Sequence, residues 1–153
     1  MLYHPSVRTR VITIVASALP LLASTMYIPT AAAVEPQVEV TQLLKTTRSW
    51  DGVQYRAYPD GQPEVSVLRY KIAAHSELPW HIHPVINVAY VLSGQLAVIR
   101  KSDGKTIAIG PGDVLPEMVN APHRGQSGDE PVELIVFYAG TPDASLTIKS
   151  EPD

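Results

Sequence analysis

The side chains best suited to holding a cation are concentrated between Trp80 and His123 of the 153-residue chain. His81 and His83 stand two apart, and an extended segment points such residues to one face, where a single ion can reach both imidazoles. His123 follows 40 residues after His83, just past a turn-rich stretch that begins Gly110-Pro111-Gly112-Asp113. That separation suits a neighbouring strand. Three neutral imidazoles bind first-row divalent transition metals well and leave coordination positions open for water or substrate. Iron, manganese, zinc, nickel and copper all accept a nitrogen-rich set, so the spacing predicts a metal centre without selecting its metal. Glu117 is the carboxylate nearest in sequence to His123 on the turn side, and it is the candidate catalytic residue for moving protons. Its bland alternative is a solvated strand residue. His75 stands at a strand end and reads as structural. Trp80, Tyr90 and Phe137 are expected in the core before a pocket mouth, and Tyr138 is open between the two.

The elements that would position these residues read as strands. Residues 38–44 suggest a short strand in a Pro-containing arm, and such arms often cross to a partner subunit, so a homodimer is expected. Residues 54–58 and 64–72 flank Pro59-Asp60-Gly61-Gln62, which has strong turn chemistry and predicts a hairpin. Further strands are expected at residues 85–92, 95–100, 106–109, 114–117 and 132–138. A Ser93-Gly94 turn should return the first of these onto the second. No stretch after the N-terminal segment keeps a helical period. Short strands punctuated every eight to twelve residues predict an all-β sandwich or barrel.

Composition bounds what this domain can do. Arg8 and Arg10 precede an almost wholly apolar run over residues 11–28, and Ala31-Ala32-Ala33 supplies small residues for a signal peptidase. Residues 1–33 are therefore expected to be a cleaved secretory signal, and residues 34–153 a single domain with its core at about 64–140, exported to the periplasm or beyond. An uncleaved anchor is disfavoured because Pro20 interrupts the run and its 18 residues fall short of a comfortable span. Without Arg8 and Arg10 the chain keeps 10 basic against 15 acidic residues, a net charge of −5 with histidines neutral. Nucleic acid is not an expected partner, nor is a membrane once the signal is removed. The chain contains no cysteine, which excludes disulfides, thiolate nucleophiles and sulfur-rich zinc sites.

The same residues resemble the cupins, whose two motifs are usually written G-x5-H-x-H-x3,4-E-x6-G and G-x5-P-x-G-x2-H-x3-N. The first motif falls on His75, His81, His83, Asn87 and Gly94, and the second on Gly112, Met118, Asn120, His123 and Ser127. Every spacing holds, and five of the ten signature residues match, including all three histidines. The resemblance spans roughly residues 72–138 and implies a double-stranded β-helix, or jelly-roll barrel, with a divalent metal on His81, His83 and His123. Asn120 replaces a glycine, and asparagine tolerates the left-handed backbone that glycine would supply. Asn87 replaces the glutamate, and an amide oxygen in its place would leave the metal complex a formal charge of plus two. Within the cupins, the His-x-His-Pro-x-x-Asn pattern is similar to that of a small exported bacterial group. The function implied is a metal-dependent oxidoreductase, dioxygenase-like, or an isomerase, acting on a small oxygen-rich molecule. The alternative is a non-catalytic cupin module that binds a small ligand or is held together by its metal.

Overall fold

The computed structural model describes residues 38–151. The chain divides into two compact units, Met1–Glu39 and Val40–Asp153. Apart from Val38 and Glu39 the first unit lies outside the described residues, as does the expected signal with its cleavage after Ala33. All of the strands belong to the second unit.

Strand formation follows the alternation of apolar and polar residues. In Val132–Gly140 the side chains of Val132, Leu134, Val136 and Tyr138 are buried, whereas Phe137 between them is 40% exposed. Two-residue periodicity of this kind places one face of a sheet on a core and the other towards solvent. The described residues form β1 (Glu64–Ile72), β2 (His81–Ile82), β3 (Ile86–Ser93), β4 (Leu96–Arg100), β5 (Thr106–Ile109), β6 (Val114–Pro116), β7 (His123–Ser127), β8 (Val132–Gly140) and β9 (Ile148–Lys149). They assemble into two sheets ordered β1-β8-β3-β6 and β5-β4-β7-β2-β9, with every strand pair antiparallel. Ala89, Val91 and Leu115 from the first sheet and Leu96, Val98 and Ile109 from the second belong to one buried cluster. The all-β, double-stranded β-helix architecture expected from the sequence is the observed one.

Four local expectations are corrected. Residues 38–44 form no strand, and Val38, Val40 and Leu43 are 75%, 85% and 61% exposed. No hairpin spans residues 59–62: Gln54 makes only an isolated bridge to Arg48, and all nine residues of β1 pair with β8 instead. Pro59 and Pro63 remove ladder donors on both sides of the turn, so the long β8 strand is the better partner. The Ser93-Gly94 turn does not fold β4 back onto β3 but passes the chain from one sheet to the other. Gly94 has φ +74°, and a Cβ there would collide with the Pro131 carbonyl oxygen, so glycine is required by both conformation and space. Phe137 and Tyr90 lie on the outer side of the first sheet, because the inward positions of β3 are Asn87, Ala89 and Val91 and the register places Tyr90 opposite Ile135. Trp80 is half-buried, with the Arg124 guanidinium 4.6 Å and the Lys101 ammonium 5.9 Å from its ring centre.

Candidate metal centre

The three histidines come together because two strands cross at one register position. His81 on β2 is paired with His123 on β7, and in an antiparallel ladder such partners present their side chains to the same face. His83, two residues on, shares that face and is anchored by a parallel bridge to Val119 and by the amide of Asn120, which donates to the His83 carbonyl at 2.8 Å. Asn120 has φ +57°, the left-handed conformation expected at this glycine position of the motif, and Gly112 has φ +89°. The ring centroids of His81, His83 and His123 are 4.6 to 5.1 Å apart, and one ligand nitrogen from each lies within 4.8 Å of the others. All three residues are buried.

Each ring is fixed in the same way. The Nδ1 atoms of His81, His83 and His123 lie 2.8 Å from the carbonyl oxygens of Pro79, Leu146 and Ala121. A carbonyl can only accept, so each Nδ1 carries the proton and each Nε2 keeps its lone pair for the interior. Such outer hydrogen bonds orient metal-ligating imidazoles and raise their basicity. Burial disfavours the charged forms of His81, lowered to about 4, and of His83, also lowered, which favours the neutral, ligating state.

Glu117 joins this group from β6's end. Its Oε2 is 3.3 Å from Nε2 of His123, a charge contact without the alignment of a hydrogen bond, and both atoms are buried without a hydrogen-bond partner. Burial opposes the charge on each member of the pair, but the attraction between them prevails: the Glu117 carboxyl is lowered below its usual range and His123 is raised. Once the proton that Glu117 favours on His123 is displaced, three inward lone pairs and a carboxylate face one another, and a divalent cation fits that electron-rich set. A carboxylate thus sits against the histidines although it does not come from position 87. Asn87 is fully buried on the inward face of β3, its amide donates to the Val85 carbonyl, and its Oδ1 lacks a partner. His75 lies apart from the cluster, exposed, with φ +53° and its Nδ1 3.7 Å from Asp129.

Residues 68–138 match the family model described as the cupin domain. That stretch is a cupin domain. No curated protein matches it in sequence. Among solved structures the chain is similar to a DMSP lyase, DddQ, from Ruegeria pomeroyi DSS-3, with 20% identity and a TM-score of 0.52 over 58% of this chain and 44% of the lyase. It is also similar to the polyketide cyclase RemF from Streptomyces resistomycificus, with 20% identity and a TM-score of 0.51 over 62% of this chain and 66% of the cyclase. The chain therefore spans less than half of the lyase and under two thirds of the cyclase, and at this identity the likeness is one of fold.

A partly open cavity of about 320 Å³ has the histidines and Glu117 in its wall. Much of the remaining wall is hydrocarbon, including Leu78, Leu96, Val98, Leu134 and Val136. Tyr70 and Tyr138 add a pair of hydroxyls 2.9 Å apart, and the Tyr138 ring stands edge-on 5.6 Å from His83. Burial raises the Tyr138 hydroxyl far above its ordinary value, so it stays protonated. Tyr70, Thr147 and Lys149 were not candidates on sequence grounds. Tyr70 sits in a strand of ordinary alternation, and Thr147 and Lys149 lie in a tail whose pairing with β2 has no periodic signal.

Proposed function

We propose that this cupin holds a divalent transition metal on His81, His83 and His123 and binds a small molecule in the adjoining cavity, as an oxidoreductase of the dioxygenase type or an isomerase. The observation that carries the reading is the common orientation of the three rings, each with its Nδ1 on a backbone carbonyl and its Nε2 turned inward. A metal bound there supplies Lewis acidity to a substrate oxygen and, if it is iron, manganese or copper, access to one-electron chemistry. The chain's own contributions are separate from that. The carbonyls hold the imidazoles in the ligating tautomer, Glu117 can take or return a proton within the cavity, and the aliphatic walls offer a surface to an apolar body. The Asn87 amide oxygen is buried and unpaired on the inward face of β3 but is not among the residues lining the cavity.

The test is the metal content of the protein from its native compartment, followed by oxygen uptake with catechols, flavonoids and thiols. Stoichiometric iron or copper with oxygen consumption supports the enzyme. A second reading, a metal-stabilised binding module, is favoured by the origin of the clamping groups: His83 is held by Leu146, near the end of the chain, so an ion would tie β2, β7 and the C-terminal tail together. Tightly held zinc with no turnover selects it.

Export belongs to this reading and rests on residues 1–33 alone, with a small-residue site ending at Ala33. The mature protein then begins at Val34, and a stable species retaining residues 1–33 by intact mass would contradict it. A homodimer is supported by the outer face of the first sheet, where Val65 and Val67 are 62% and 60% exposed beside Phe137. Light scattering reports it directly.

A further inference from the structure

The cavity combines ionisable groups with hydrocarbon in its lining. Lys149 is exposed and lines it, so this side chain stands where the cavity meets solvent. The register of β9 on β2 sets Lys149 opposite His81, on the face that carries the histidines. Among the described residues no carboxylate pairs with Lys149. Apart from the histidines, Glu117, Lys149, Thr147 and the Tyr70–Tyr138 hydroxyl pair, the wall includes Leu78, Leu96, Val98, Leu134 and Val136, which offer nothing to the hydroxyls or charges of a molecule that carries them along its whole body.

From this arrangement we infer that the ligand is a monocarboxylate with a hydrocarbon or aromatic body, its carboxylate lying between the histidine centre and Lys149 and its body against the aliphatic wall. The inference rests on the metal reading above for part of its charge balance. A divalent ion with Glu117 leaves one net positive charge, and Lys149 adds a second, so one anionic group is attracted and a neutral head gains less. Lys149 and the rest of β9 lie beyond the cupin match at residues 68–138. A monocarboxylate of this kind narrows the small oxygen-rich substrate expected from the sequence to one that is oxygen-rich at a single end.

Isothermal titration of the full-length protein with hexanoate, 1-hexanol and acetate tests both halves of the inference, with metal measured on the same samples. Hexanoate should bind at least tenfold more tightly than 1-hexanol, which lacks the charge, and than acetate, which lacks the body. Lys149→Met should weaken hexanoate about tenfold with metal content unchanged, and Lys149→Arg should restore it. Equal binding of hexanoate and 1-hexanol, or full hexanoate affinity in Lys149→Met, overturns the inference. If wild-type protein holds no metal, the metal reading fails by that measurement alone, while the comparison of Lys149→Met with wild type still decides the role of Lys149.

Discussion

The backbone amide of Glu117 donates to the carbonyl of Asn87 at 3.1 Å, which makes the two residues neighbours on adjacent strands. The first motif of the family carries a glutamate where this chain has Asn87, and the carboxylate beside the histidines comes instead from Glu117. One negative charge has in effect moved one strand over. Both side chains are buried, and each has an oxygen without a hydrogen-bond partner.

This relationship predicts a charge exchange. Glu117→Gln keeps the shape of the side chain and removes the charge, so metal stoichiometry should be retained while affinity for a divalent ion falls about tenfold. Adding Asn87→Glu to that variant should recover most of the loss. Competition with a chromophoric chelator measures both, and wild-type affinity in Glu117→Gln would show that the carboxylate does not act on the ion.

His81, His83 and His123 act as a unit, so replacing any one by alanine should lower divalent-metal affinity by more than about a hundredfold. Far-ultraviolet circular dichroism should stay all-β. His75→Ala should leave metal affinity unchanged, since that residue is exposed and outside the cluster. Elemental analysis after dialysis checks each variant.

Gly94→Ala tests the sheet crossover. An alanine there must both adopt a positive φ and displace the Pro131 carbonyl, so destabilisation of at least about 2 kcal/mol is expected in chemical denaturation. Gly104→Ala is the control. It shares the positive φ, yet a Cβ there meets nothing within 4 Å, and its cost should be smaller.

Asp51 predicts a pH dependence of stability. Its side chain is 3% exposed, accepts hydrogen bonds from Ser49 and Val53, and pairs with Arg100 at 2.9 Å. Burial alone would raise its pKa, but these partners lower it. A carboxyl depressed in the folded state stabilises above its unfolded value of about 3.9, and that stability is lost as pH falls through the folded value. Asp51→Asn should therefore melt below wild type at pH 7, with the gap closing below about pH 4. A gap that persists at pH 2 would assign the loss to packing.

The two-residue spacing of His81 and His83, the turn chemistry around Gly112 and the alternation in residues 132–138 determine that the chain is all-β and that its histidines share a face. Those features are local, and the period of a strand reads them without knowledge of its partners. The left-handed backbone at Asn120 was legible only through the resemblance, from the glycine position it occupies in the cupin motif. Partner choice was not. Pairing of β1 with β8 across more than sixty residues, passage of the chain between sheets at Gly94, and the outward aspect of Phe137 depend on which surfaces meet in three dimensions. The site divides along the same line. Sequence located the three histidines, but only tertiary structure brought the Leu146 carbonyl to His83, Glu117 to His123 and Lys149 opposite His81, because each contact joins segments with no shared period.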